Sequence, residues 1–178
     1  MRNLSFLLMI LFFGACNTAD PKKQSSALQY FDLKDYISKE AARLKRINPE
    51  IDKTVIVNHA QEHRKLKIAD WQKELSVFSD ADINKSAWQG LFKLHKDTVS
   101  ETYLSDNEKV PVKSLKISHH NGRISGIEIL ISNANSLYTS NDTLSYFPDS
   151  LYQLKKTQHI KLLKEKNYHI TGRFYKQN

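Results

Sequence analysis

From Thr98 to the C-terminus the chain runs in short stretches where apolar and polar residues alternate, separated by turn residues, and that pattern confines it to an antiparallel sheet. Strands are expected at 98–104, 110–118, 124–132, 136–140, 143–147, 151–163 (broken) and 168–175. His120-Asn121-Gly122-Arg123 is the strongest turn signal, because Asn-Gly adopts the positive φ of a tight hairpin at little cost. Ile127, Ile129 and Ile131 share a face, and their register against Leu115 and Ile117 depends on whether that turn carries a bulge. Asn141-Asp142 and Lys164-Glu165-Lys166-Asn167 mark two further expected reversals. Tyr168, Ile170 and Phe174 alternate with His169, Thr171 and Arg173, so they are expected on the packed face of the last strand.

The first half of the chain has a different period. Tyr30, Leu33, Ile37, Ala41 and Leu44 recur at three and four residues, which predicts an amphipathic helix of about five turns ended by Asn48-Pro49. Val55 and Val57, then Leu66 and Ile68, alternate across a polar gap and predict a hairpin. Asp70 is placed to cap a short helix in which Trp71, Leu75 and Phe78 share a face. The stretch with Ile83, Trp88 and Leu91 has no clear period. The expected fold class is α+β, with N-terminal helices packed on a curved antiparallel sheet, a meander.

Ahead of this domain lies a segment of another kind. Arg2 precedes an apolar run from Leu4 to Phe13, then the small residues Gly14-Ala15, then Cys16, the single cysteine among 178 residues. About ten apolar residues are too few to span a bilayer, so the run reads as a cleavable export signal. With Gly14-Ala15-Cys16 the arrangement resembles the lipobox of bacterial lipoproteins, although Phe13 stands where that family usually has leucine. The resemblance implies cleavage between Ala15 and Cys16, and a diacylglyceryl group with further acylation on Cys16. Several acyl chains hold a protein at a membrane far better than one. Asn17 after the cysteine, in place of aspartate, implies outer-membrane sorting with the chain facing the periplasm. Polar residues 17–27, with Pro21, read as a tether. The expected organisation is a signal peptide at 1–15, a lipidated tether at 16–28 and one globular domain at 29–178. Beyond the lipobox, the Asn-Ser-Leu-Tyr and Phe-Pro-Asp-Ser-Leu-Tyr segments at 135–138 and 147–152 resemble small uncharacterised lipoproteins of Bacteroidetes, which implies a location and no activity.

Charge adds a direction. The chain carries +8 overall, and residues 151–178 hold seven Lys or Arg against Glu165 alone. Lysines keep edge strands soluble, and they also favour an anionic lipid surface or an acidic envelope protein as partner. A protein tethered outside the cytoplasm has no use for nucleic acid.

Enzyme chemistry finds little support in the residues. His59-Ala60-Gln61-Glu62-His63 fits the H-x-x-E-H string of inverted zinc proteases, yet the alternating flanks place it across a hairpin and not on a helix. Asp80-Ala81-Asp82-Ile83-Asn84 opens like a calcium loop but has Lys85 where glycine is needed and Leu91 where glutamate is needed, leaving an N-capping acidic turn. His119-His120 point to opposite faces of a strand. Glu101 and Glu128 are candidates for pairing across the sheet. With five glycines there is no phosphate-cradling loop. No catalytic residue, metal ligand or cofactor is assigned. The expected function is a membrane-anchored, non-enzymatic interaction module of the cell envelope. A carrier enclosing a lipophilic ligand is the alternative, and a zinc hydrolase built on His59 and His63 a remote one.

Overall fold

The structure is a computed structural model that describes residues 28–175. It is largely β with a few helices: nine antiparallel strands in one sheet, ordered β2-β1-β9-β8-β7-β6-β5-β4-β3. The strands are β1 (Glu50–Val57), β2 (Ala60–Lys67), β3 (Lys93–Lys96), β4 (Ser100–Leu104), β5 (Val112–His120), β6 (Arg123–Ala134), β7 (Tyr138–Phe147), β8 (Leu151–Ile160) and β9 (Lys166–Phe174). From β3 to β9 each strand pairs with the next, a meander. The earlier β1–β2 hairpin then joins the far side of β9, with Ile51 opposite Phe174 and Val57 opposite Tyr168.

Among the described residues three α-helices accompany the sheet. In α1 (Leu33–Ile47), Asp32 accepts from the Asp35 N–H, and Asn48 closes the helix in the left-handed region at φ 44°. The helix has 15 residues, about four turns; Tyr30 and Phe31 precede it. Asp70 caps α2 (Trp71–Glu74) as expected, accepting from the Lys73 N–H, and α3 (Ser76–Asp80) follows. A 3₁₀ turn at Ser86–Trp88 occupies the aperiodic stretch. The expected order of helices first and sheet second is corrected, since β1 and β2 separate α1 from α2.

Strand register explains the two faces. One line of paired residues across six strands reads Tyr103, Leu115, Ile129, Leu144, Leu154 and Ile170. These side chains stand on the face where Leu33, Ile37, Ala41 and Leu44 of α1 and Trp71 and Phe78 of α2 and α3 complete one buried cluster. The neighbouring line, Thr102, Lys116, Glu128, Ser145, Gln153, Thr171, Thr54 and His63, points the other way and contains no buried residue. Alternation of period two puts adjacent residues on opposite faces, so one register fixes both.

Two sequence expectations need correction. The runs 136–140 and 143–147 are one strand, β7, and Asn141-Asp142 lie in its middle. Asp142 is buried, accepts from Ser140 Oγ, and takes the Lys156 ammonium at 3.1 Å from the facing strand. Those partners override the turn preference of Asn-Asp. The run 151–163 ends as strand at Ile160, and Lys166 and Asn167 already pair with β8, so only the front of the 164–167 run is turn. The Asn121-Gly122 turn is as expected, with φ of 49° and 73°. Just beyond it Ser118 pairs with Gly126 and His119 with Ile124, leaving Ser125 as a bulge that sets Ile117 against Ile127.

Candidate interaction surface

The outer face of the sheet carries a central line of polar side chains held by β pairing rather than by loops, with Leu104, Leu130 and Ile56 in the line beside it. Its central line crosses β4 to β2, eight strands, roughly 35 Å at the ordinary strand spacing. Hydrogen bonds along it fix the side chains: Gln153 donates its amide to Thr171 Oγ1 at 3.2 Å, and His169 Nε2 lies 3.2 Å from the same hydroxyl. Burial, then the nearby Lys155, pushes the His169 imidazole below its usual pKa.

At one end of this face a hollow of about 320 Å³ is lined by Ile56, Asn58, Lys155, Thr157, Asn167 and His169, among others. The end itself is made by three turns. Asn58 and His59 join β1 to β2; the Asn58 N–H donates to the Asn167 carbonyl at 2.7 Å and its Oδ1 accepts from the Asn167 N–H at 3.0 Å. Residues 161–165 join β8 to β9, and residues 135–137 join β6 to β7. The Lys161 N–H donates to the Leu137 carbonyl at 2.8 Å, tying these two turns together.

The sequence-predicted residues fall as follows. Ala15 and Cys16, with the whole signal and the tether up to residue 27, lie outside the described residues. His59 sits in the two-residue turn and His63 on β2 opposite Thr54, so the string is not helical. Four residues of strand separate about 13 Å, too far for joint zinc ligation. His63 Nδ1 instead lies 3.0 Å from Asp52 Oδ1 and 3.3 Å from Thr54 Oγ1, and Tyr175 donates to the other Asp52 oxygen at 3.3 Å. Asp82 Oδ1 accepts from the Asn84 N–H, and Asn84 in turn holds the Tyr30 N–H and the Phe31 carbonyl, so the supposed calcium string pins the start of the domain to the helix layer. The expected N-cap is corrected too: Asp80 ends α3 rather than opening a helix, because the run is used to hold Tyr30 and Phe31. Glu101 pairs opposite Ile117 and Glu128 opposite Lys116, which puts the two carboxylates on opposite faces. Among the described residues no three of His, Cys, Asp and Glu form a metal-holding group.

The basic C-terminal stretch does not act as one patch. Lys156 turns inward to Asp142, whereas Lys155, Lys161, Lys164, Lys166 and Arg173 are exposed. Sequence reasoning missed a second feature, a cleft of about 430 Å³ between α1, the start of β6 at 123–124 and the turn at 148–149. There Arg43 binds Glu40 at 2.9 Å and Asp149 at 2.8 Å, and the Tyr146 hydroxyl donates to Glu40 at 2.6 Å. Burial and the Glu40 charge hold the Tyr36 phenol far above its usual pKa, so it stays protonated. Glu40, Arg43, Asp149 and the Tyr146 hydroxyl thus satisfy one another. No family model, curated protein or solved structure matches the chain.

Proposed function

We propose that the protein is a lipid-anchored component of a bacterial cell envelope that works by binding and not by catalysis. In this reading residues 1–15 are removed, Cys16 carries the lipid, residues 16–28 are the tether, and 29–178 is one globular unit facing the periplasm from the outer membrane. The helices form a lid on the inner face of a sheet curved around them. The bulges at Lys113 and Ser125 and the close approach of Gly126 to Phe147 support that curvature. The outer face is the contact surface, and its partner is acidic.

The observation that carries the reading is the outer line from Thr102 to His63, polar, unburied and uncovered by any described helix. Beside it stand Lys155 and Arg173, among the cations that the described residues leave exposed. Two experiments test it. Cys16→Ser should abolish fatty-acid incorporation in growing cells. A photo-crosslinking residue at Gln153 of the full chain should trap an envelope macromolecule, less at high salt, while one at Ser38 on α1 should not. Equal adducts at both positions, or none, would remove the outer face as the contact surface.

A further inference from the structure

The end of the sheet formed by the three turns combines features not found together elsewhere among the described residues. Leu162 is 96% exposed, Leu137 65% and Leu163 57%. Leu162 also has φ of 70°, a conformation leucine rarely takes, so the turn spends backbone strain to hold an apolar side chain in water. Lys161 and Lys164 flank the two leucines, and Lys166 opens the following strand. The turn is tied to its neighbours by main-chain bonds rather than hanging free, through Leu137 on one side and, past Asn167, Asn58 on the other.

We propose that this end is a lipid-contacting tip: Leu162, Leu163 and Leu137 enter the interfacial region of an anionic bilayer while Lys161, Lys164 and Lys166 hold its phosphate headgroups. Leucines ringed by lysines match a surface that is apolar a few ångströms down and anionic at the top. A protein partner of the same charge would offer no reason to expose leucine so completely at a turn apex. The hollow behind the tip fits the same depth scale. Thr157 stands five residues before Leu162, and the three steps along β8 from Thr157 to Ile160 place the hollow about 10 Å behind the turn, level with the headgroups when the leucines reach the acyl boundary. Lys155 and His169 line it, so its outer wall is cationic or polar.

The inference deepens the reading of a membrane-anchored binding protein and rests on it for location only. Its test uses the full chain with Leu162→Trp, against Val99→Trp, which places an exposed probe at the opposite end of the sheet; Val99 is 60% exposed in the turn before β4. Emission, taken as the difference from the parent chain with its own Trp71 and Trp88, is read on vesicles of phosphatidylcholine with phosphatidylglycerol, with and without brominated acyl chains, and on phosphatidylcholine alone. The expected result is a blue shift and about twofold quenching at 162 on the anionic vesicles and neither at 99. Lys161→Glu with Lys164→Glu should weaken the effect about tenfold. Absent quenching, equal quenching at both positions, indifference to headgroup charge, or shielding of 162 only after an envelope protein extract is added would overturn the inference, the last in favour of a protein partner. Flotation of the same samples reports the anchor separately. A chain that floats without quenching at 162 defeats the tip and spares the anchor, and a chain quenched at 162 only on added anionic vesicles, without flotation from its own acyl group, does the reverse.

Discussion

Tyr152 shows how tightly single residues are fixed where helices meet the sheet. Its ring meets Trp71 edge-on at 6.2 Å and Phe174 at 6.2 Å, and its hydroxyl donates to Glu74 at 2.6 Å, where the Lys53 ammonium also arrives at 2.5 Å. Gly172 faces it across β8 and β9, and a Cβ there would lie 2.2 Å from the ring. Three contacts prevent the ring from stepping aside, so Gly172→Ala should cost about 2–3 kcal/mol, read as a lowered urea midpoint at unchanged slope. Gly126→Ala should cost less, because the half-buried Phe147 ring at 2.8 Å has room to turn. Alkali tests the same contacts. Burial first, then a hydrogen bond to a carboxylate, raises the phenols of Tyr146 and Tyr152 far above their ordinary value of 10.0. The folded state thus prefers the protonated phenol, and the stability this gives is complete below about pH 10 and is lost as pH rises beyond it. Denaturation midpoints should fall through that range, and Tyr152→Phe should flatten the fall even though it lowers stability at neutral pH.

At the scale of elements, what could be read from sequence depended on whether the signal was local. The α1 stripe, the Asp70 cap and the Asn121-Gly122 turn each rest on residues within a turn or two of one another, and each is where the pattern puts it. Asp70→Ala should therefore cost about 1 kcal/mol of overall stability, since it frees one N–H of α2. Asn141-Asp142 failed as a turn because its partners are cross-strand: Lys156 is fourteen residues away, beyond any local window. That difference is measurable. Asp142→Ala should cost about 1–2 kcal/mol, since it strands a half-buried ammonium beside β7, and Asp142→Leu with Lys156→Leu should recover most of it. A double variant no better than the single would mean that Asp142 serves the backbone and not the lysine. The outer contact face was legible only as polar alternation. Its assembly into one line needs the register, and the three-turn tip needs to bring residues 58, 137 and 162 together, which no spacing in the chain announces.

For the whole molecule the decisive contact joins the two ends of the described chain. Antiparallel neighbours from β3 to β9 follow from short turns, but β1 pairs with β9 across more than one hundred residues, Ile51 against Phe174. The strand pattern reveals both partners and cannot say that they meet. Because β9 lies between β1 and β8, it supplies the hydrogen bonds of both, and Trp71 stacks on Phe174 at 5.7 Å from the helix side. Loss of β9 therefore detaches the hairpin, exposes a flat edge on β8 and uncovers the α2 anchor in one step. Thr171→Pro removes an N–H inside this central strand and should cost about 3 kcal/mol or more, enough to abolish cooperative folding in a domain of ordinary stability. His95→Pro on the edge strand β3, with β4 as its single neighbour, should cost well under half as much. Tryptophan fluorescence reports the surroundings of Trp71 and Trp88, and far-UV dichroism reports the sheet. In the parent chain the two unfolding curves should coincide, since hairpin, β9 and helix layer stand or fall together. Separate transitions would show the β1–β2 hairpin to be a detachable unit, and the sheet's long-range closure would then be an ornament on a self-sufficient β3–β8 meander rather than the contact that holds the fold.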